Sequence, residues 1–347
     1  MGMGLLEGEK MSSSKGHVVL PGEAIDEYGA DTVRFFLLNS AEPWQDYDWR
    51  GEAVSSTRDQ LERLWNRADD LIERADVPDT GEGDGGVPDD VELTRIDRWL
   101  LSKLQTAVRE TTEALEGFET RTASQAAFYG FEDHLRWYRR RTETDRPAAV
   151  WTLRHVLETR LRLLAPFVPF VANELHERLT GEPAEDADWP EPDPAFETPQ
   201  VEVEEALVES LLDDVNDIVD VTDTDPDTIR VYVAADWKRD VFEAVREAGT
   251  DVGAVMSEAM RDEHLRERGD AVNDLVGDLI DLVRGLDDGT VETLRDVDER
   301  STYEHAVPFL AREFDADVEV YAEGEDPPDP ADRAGTAVPF RPAVHIE

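Results

Sequence analysis

The chain has 347 residues, of which 40% are hydrophobic, and its 82 acidic and 35 basic side chains give a formal net charge of -47. The length and the apolar content exclude an intrinsically disordered chain and predict two or three domains, each with its own core. The absence of cysteine excludes disulfides and thiolate zinc sites, and no apolar run approaches the roughly 20 residues that span a bilayer, so we expect a cytoplasmic protein without membrane contact.

The first distinctive segment is GEKMSSSKG, from Gly8 to Gly16, in which two lysines flank three serines. Mobile ammonium groups and short hydroxyl donors can converge there on a polyphosphate. During transfer at the α-phosphorus of ATP, positioned lysines stabilise the charge that builds on the departing pyrophosphate. Taken alone, however, these residues are more typical of a flexible polar turn.

The segment EAIDEYGADTVRFFLLNSAEPWQDYDW, from Glu23 to Trp49, follows the loop. Together the two segments resemble the second signature loop and the next segment of class I aminoacyl-tRNA synthetases of the leucine, isoleucine, valine and methionine group. The resemblance implies that the loop closes over ATP, whose Mg²⁺ is bound through the nucleotide, during aminoacyl-adenylate formation. No protein metal site is implied.

On this resemblance, the ATP-site residues are Lys10, Met11, Ser12, Ser13, Ser14 and Lys15, and the catalytic residues are Lys10 and Lys15. The usual family loop has a lysine at the position of Ser13. The relative weight of the two lysines therefore stays open.

Apolar stripes at three- and four-residue steps predict long amphipathic helices over 52–76, 93–115, 121–142 and 147–180, which together form a bundle. Pro166 and Pro169 should kink or restart the last helix, because each removes an amide donor. APFVPFVANELHERL, at 165–179, resembles the last long helix of an anticodon-binding bundle. We predict that His176 lies on the bundle surface and binds no metal.

The densest cationic cluster is LRWYRRR, from Leu135 to Arg141. On a helix Arg136, Arg139 and Arg140 share one face and could bridge successive phosphates of RNA, with Trp137 or Tyr138 available to stack. An arginine face that is paired with bundle carboxylates is an equally good interpretation.

The last third of the chain changes character after two linker-like stretches, 77–90 and 181–199. Alternating residues in 229–233 and 317–321 predict strands, and helical patterns lie before and between them. Segments 227–242 and 337–347 resemble the α/β tail of the archaeal and eukaryotic type of leucyl-tRNA synthetase. That tail implies recognition of the long variable arm of leucine tRNA, with Lys238 and Arg239 as RNA-binding candidates.

The acidic excess is spread along the whole chain, and the only lysines are Lys10, Lys15, Lys103 and Lys238. Such a surface would ordinarily repel RNA. At molar salt the Debye length falls to roughly 3 Å, so net repulsion is screened while short arginine–phosphate pairs survive. The composition therefore predicts a halophilic protein.

We therefore predict a multidomain protein, mainly an α-helical bundle followed by a small α/β domain. The predicted domains are 1–50 (end of a catalytic domain), 51–195 (anticodon-binding-type bundle) and 196–347 (tRNA-binding α/β domain). The function implied is that of a leucine–tRNA ligase, monomeric at full length, whose leucine pocket, editing domain and first signature motif lie outside this chain, so that the chain alone is inactive. The alternatives are a stand-alone tRNA-binding module, one subunit of a split synthetase, or a valyl- or isoleucyl-specific relative.

Overall fold

The computed structural model describes residues 2–74, 86–325 and 327–347, apart from the side chain of Ser13. The chain divides into two compact units, Met1–Glu197 (unit 1) and Thr198–Glu347 (unit 2). Residues 77–85 of the first predicted linker lie outside the described ranges, and 86–90 contain neither helix nor strand. Among the described residues no helix is both long and apolar enough to cross a lipid bilayer.

Unit 1 combines a small sheet with a helical bundle. Its described strands and helices are, in chain order, β1 (Gly4–Leu6), β2 (Glu9–Lys10), α1 (Pro21–Tyr28), α2 (Ala30–Ser40), β3 (Tyr47–Trp49), α3 (Gly51–Glu73), α4 (Arg95–Glu116), α5 (Thr120–Ser124), α6 (Phe131–Arg141), α7 (Pro147–Leu164) and α8 (Pro169–Thr180). The sheet has the order β2-β1-β3, with β2 antiparallel and β3 parallel to β1.

The bundle core collects buried residues from α2, α3, α4 and α7 and from the turn between α5 and α6. Phe35 on α2 is fully buried, and its ring lies 5.2 Å from that of Phe128 and 6.3 Å from that of Phe167, centroid to centroid. The segment that follows the lysine–serine loop therefore contributes directly to the bundle core.

The helix predicted over 121–142 is helical throughout but widens into a π-helical turn at Gln125–Gly130, between α5 and α6. The guanidinium of Arg160, whose residue is only 2% exposed, donates to the carbonyl oxygens of Ala127 and Phe128 at 3.3 and 3.4 Å. This side chain satisfies backbone acceptors within the wide turn, which explains how the π turn is tolerated in the core.

The predicted break in the last bundle helix is confirmed. Helix α7 ends at Leu164, and α8 restarts with Pro169 at its first turn, where no amide donor is needed. The prediction of a surface position for His176 is wrong. The residue is 1% exposed, and its Nδ1 lies 2.7 Å from the carbonyl oxygen of Glu182, because the chain folds back over α8 after Thr180.

Unit 2 is a small α/β domain with a three-stranded sheet of order β5-β4-β6. Its described strands and helices are, in chain order, α9 (Pro199–Thr222), β4 (Thr228–Val233), α10 (Asp236–Ala248), α11 (Val252–Ala259), α12 (Glu263–Arg266), α13 (Gly269–Arg284), α14 (Asp288–Leu294), α15 (Glu299–Phe314), β5 (Asp317–Ala322) and β6 (Ala343–Ile346). The central strand β4 pairs in parallel with β5 and antiparallel with β6. Both predicted strands are present, so the predicted bundle followed by a small α/β domain is confirmed.

Candidate ATP loop and candidate nucleic-acid interface

The lysine–serine loop directly follows the β1–β2 hairpin of unit 1. Lys10 ends β2 and pairs with Leu5, while Leu5 pairs on its other side with Asp48 of β3. The hairpin turn is held by the backbone N–H of Gly8, which donates to Asp48 Oδ1 at 2.8 Å. This N–H and the Arg50 guanidinium, 2.7 Å from Asp48 Oδ2, lower the pKa of the Asp48 carboxyl.

The loop itself is closed by a pair of backbone hydrogen bonds. The N–H of Ser12 donates to the carbonyl of His17 at 2.7 Å, and the N–H of His17 donates back at 3.1 Å. A 3₁₀ turn spans Ser13–Lys15, and Gly16 follows with a φ of +70°, a left-handed conformation that favours glycine. The hydroxyls of Ser12 and Ser14 lie 3.1 Å apart. The loop is therefore a defined turn whose ends are fixed together.

The two lysines of the loop are exposed, and neither ammonium group forms a hydrogen bond or ion pair with a described residue. Both are therefore available to a ligand. Met11, by contrast, is partly buried against a small apolar cluster that includes Phe36 and Trp49. Of the predicted ATP-site residues, Met11 packs as an anchor of the loop, and the side chain of Ser13 lies outside the described part of the structure.

Sequence reasoning missed His17, which fastens the end of the loop to the strand beneath it. Its Nε2 lies 3.0 Å from the carbonyl oxygen of Leu6, the last residue of β1. A histidine directly after a loop glycine has no distinctive spacing, so only the hairpin geometry identifies this contact.

Carboxylate and amide side chains join the segment after the loop to the bundle. Glu42 is 8% exposed and accepts hydrogen bonds from the N–H of Thr122 at 3.0 Å and of Arg121 at 3.2 Å, in the first turn of α5. Asp31 accepts from the N–H of Val171 at 2.7 Å, near the start of α8. Burial raises the pKa of Asp31, although that N–H opposes the rise. Two helix N-termini of the bundle are thus satisfied by residues 31–42.

The predicted arginine face on α6 is divided by the structure. Arg136 and Arg139 line a concavity of about 440 Å³, whereas Arg140 lies over the ring of Trp137, 5.9 Å from its centroid. Arg136 forms an exposed ion pair with Asp133 at 3.0 Å. The interpretation of Tyr138 as a stacking residue is wrong, because it is fully buried and its hydroxyl donates to Asp97 Oδ1 at 2.5 Å.

The two cationic candidates of unit 2 are both engaged in internal contacts. Lys238 is 6% exposed, and its Nζ donates to the carbonyls of Gly335 and Ala337 at 2.9 and 2.6 Å and lies 2.8 Å from Glu323 Oε2. An ammonium so placed has almost no accessible surface to offer a phosphate. Arg239 lies 3.3 Å from Glu299 Oε2 and over the Phe340 ring, 5.2 Å from its centroid, with 28% of its side chain exposed.

Two family comparisons match parts of the sequence. Residues 97–232 match the anticodon-binding domain of tRNA ligase, and residues 1–75 match the class I tRNA synthetases (M). Relatives extend this similarity. The leucine–tRNA ligase of Methanopyrus kandleri is 38% identical over 355 residues, covering 100% of this chain and 35% of that protein. The ligase of Pyrococcus abyssi is 38% identical over 349 residues, covering 100% of this chain and 34% of that protein.

A solved ternary complex of Agrobacterium radiobacter K84 LeuRS with tRNA and LeuAMS aligns with 67% of this chain and 25% of that chain, at 21% identity and a TM-score of 0.45. The chain spans about a third of the length of the curated relatives. Along its whole length it is homologous to the C-terminal part of leucine–tRNA ligases.

Proposed function

We propose that this chain is the C-terminal part of a leucine–tRNA ligase of the archaeal and eukaryotic type, which converts ATP, L-leucine and leucine tRNA into leucyl-tRNA, AMP and diphosphate. One observation carries the proposal: similarity to leucine–tRNA ligases at 38% identity covers 100% of the chain, so both units are included. Within the enzyme, the chain contributes the ATP loop and surfaces that hold the tRNA. The division into domains 1–50, 51–195 and 196–347 is part of this proposal.

The loop acts on ATP through Lys10 and Lys15. When the leucine carboxylate attacks the α-phosphorus, the bond to the pyrophosphate oxygen breaks and negative charge develops on the leaving group. Two exposed ammonium groups that have no partner among the described residues can stabilise that charge, and the closed turn at Ser12 and His17 limits the reorganisation that this requires. The hydroxyls of Ser12 and Ser14 are further donors. Mg²⁺ enters with the nucleotide, and L-leucine binds outside this chain.

Arginines of the bundle bind the tRNA, and unit 2 binds its long variable arm. Arg136, Arg139 and Arg140 are the bundle candidates, and Arg239 is the candidate in unit 2. The burial of Lys238 supports a structural role for this residue instead of an RNA contact. The net charge of -47 with only four lysines supports a halophilic source, in whose cytoplasm the repulsion of RNA is screened.

The ATP assignment is tested in the full-length ligase with Lys10→Met and Lys15→Met, singly and together. Removing one positioned donor to a developing charge lowers a rate by about 10²–10³-fold, so ATP–pyrophosphate exchange should fall accordingly, with tRNA affinity unchanged. Glu9→Gln is the matched control, because it alters the exposed neighbour of Lys10 on the same strand. A folded double variant that exchanges pyrophosphate at the normal rate would refute the assignment.

The alternatives are separated by mixing this chain with a separately produced upstream half of the ligase. Restored leucylation supports a ligase part or a split-enzyme subunit, whereas tRNA binding without rescue supports a stand-alone binding module. Retention of valine or isoleucine tRNA in preference to leucine tRNA would instead indicate one of the related specificities.

A further inference from the structure

A concave surface between the C-terminal half of α3 and helix α6 is lined by four arginines. We call it the α3–α6 basin, and it has a volume of about 440 Å³. Its lining residues are Arg67, Asp70, Leu71, Arg74, Glu132, Arg136, Arg139, Thr144 and Leu153. Four arginines face two carboxylates, which leaves a formal excess of two positive charges in a chain whose net charge is -47.

The central carboxylate of the basin is already shared. Glu132 forms ion pairs with Arg67 and with the buried Arg160, the latter at 3.1 Å. Although burial opposes it, the charges of Arg160 and Arg67 lower the pKa of the Glu132 carboxyl. The Glu132 carboxylate therefore forms ion pairs with two guanidinium groups, and neither of them belongs to Arg139.

Arg139 and Arg74 are left with unused donors. Neither forms a hydrogen bond or ion pair with a described residue. Desolvation and the neighbouring charges of Arg67 and Arg160 lower the pKa of Arg139, although the charge of Glu132 opposes the fall. A guanidinium with five N–H donors in a fixed fork is suited to an anionic oxygen ligand.

The arrangement favours an extended polyanion over a single compact anion. Arg67 lies on α3 and Arg74 directly follows the last residue of that helix, while Arg136 and Arg139 stand one turn apart on α6. Four guanidinium groups spread along the lining can contact consecutive charges along a chain. Arg67, Arg136 and Arg139 are carried by helices, and the ion pair of Arg67 with Glu132 joins α3 to α6.

We propose that the α3–α6 basin binds successive backbone phosphates of the tRNA, with Arg74 and Arg139 as the principal contacts and Arg67 and Arg136 flanking them. The assignment rests on the proposed function, since it presumes an RNA ligand. It adds Arg67 and Arg74 to the proposed interface.

The test compares two double variants of the full chain. Arg74→Ala/Arg139→Ala removes the two proposed principal contacts of the basin. Arg63→Ala/Arg141→Ala removes one arginine of α3 and one of α6 outside the basin, with the same change in net charge. Dissociation constants for a leucine tRNA transcript are measured over a series of KCl concentrations, with inorganic pyrophosphate as the small-anion probe, and circular dichroism checks folding.

The basin variant should bind tRNA about 100-fold more weakly, roughly ten-fold for each lost arginine, and the salt slope should fall by about one for each. The control should stay within about three-fold of the unaltered chain. Equal losses in both variants, or no loss in the basin variant, would overturn the proposal. So would a loss confined to pyrophosphate. If the unaltered chain itself binds no tRNA, it is the proposed function that fails.

Should the alanine variant fail to fold, Arg74→Lys/Arg139→Lys keeps the charge but removes the guanidinium fork. In the basin this variant should weaken tRNA binding by several-fold with a nearly unchanged salt slope. Unaltered affinity would overturn the proposed direct contact.

Discussion

The pH dependence of unit 2 is expected to be governed by Glu299, in the first turn of α15. The residue is 4% exposed, and its carboxylate accepts the N–H of Phe340 at 2.7 Å and faces Arg239 at 3.3 Å. Burial raises the pKa of Glu299 to about 7, from 4.5, although both contacts oppose the rise. The folded protein therefore binds a proton at this residue more tightly than the unfolded chain does.

The sign and size of the effect follow by linkage. Because the folded pKa is raised, the stabilisation by the bound proton is fully present below pH 4.5 and is lost as the pH rises toward and through 7. A difference of about 2.5 pKa units corresponds to about 3 kcal/mol. Glu299→Gln cannot ionise, so its stability relative to the unaltered chain should increase by roughly that amount between pH 4.5 and pH 8.

The unaltered chain and Glu299→Gln are unfolded with urea in molar KCl at several pH values. Hydrogen exchange of peptides from α15 reports the unfolding of unit 2. Loss of the ion pair with Arg239 shifts the free energy of unfolding of the variant by a constant amount. Only the titration of Glu299 makes the difference in free energy between the two proteins depend on pH. Glu304→Gln, on the same helix and exposed, controls for the loss of one negative charge. A separation that is constant across this range, or that shrinks as the pH rises, would refute the reasoning.

Two further outcomes are expected. Lys238→Met should lower the free energy of unfolding of unit 2 by about 3 kcal/mol in urea titrations, because two carbonyls and Glu323 lose their donor. The affinity of this variant for tRNA in native buffer should not change, and a weakened tRNA complex with normal stability would contradict the structural role. Molar KCl should raise the melting temperature, measured by circular dichroism, by about 2–4 °C for each kcal/mol of relieved charge repulsion. An equal melting temperature in dilute buffer would show that the acidic surface does not require salt.

Local signals in the sequence predicted several of the longer regular elements. Alternation over 229–233 and 317–321 predicted strands that the structure contains as β4 and β5, and Pro169 predicted the restart of the last bundle helix. The three-residue strand β1 escaped prediction because its pairing with β3 joins positions more than 40 residues apart. So short a segment carries too little periodicity to be recognised.

Side-chain roles were harder to predict, because charge in a sequence says nothing about burial. Lys238 and Arg239 are neighbours in sequence, yet one is buried under carbonyl groups and the other is partly exposed. On α6, helical spacing places both Arg139 and Arg140 one turn from Arg136, and only packing against α3 selects Arg139 for the basin. Arg74 has no distinctive spacing in the sequence, and only the structure identifies it as a residue of the basin.

The abundance of carboxylates in unit 1 is compatible with a positively charged basin because the buried ones are used elsewhere. Glu42 and Asp31 accept from the first-turn amides of α5 and α8. Asp97 faces Arg146 Nη2 at 2.7 Å and is fully buried. A carboxylate that is bound to helix amides or to the partly exposed Arg146 does not neutralise a guanidinium in the basin. The acidic composition of unit 1 therefore does not cancel the charge of the basin arginines that RNA is proposed to use.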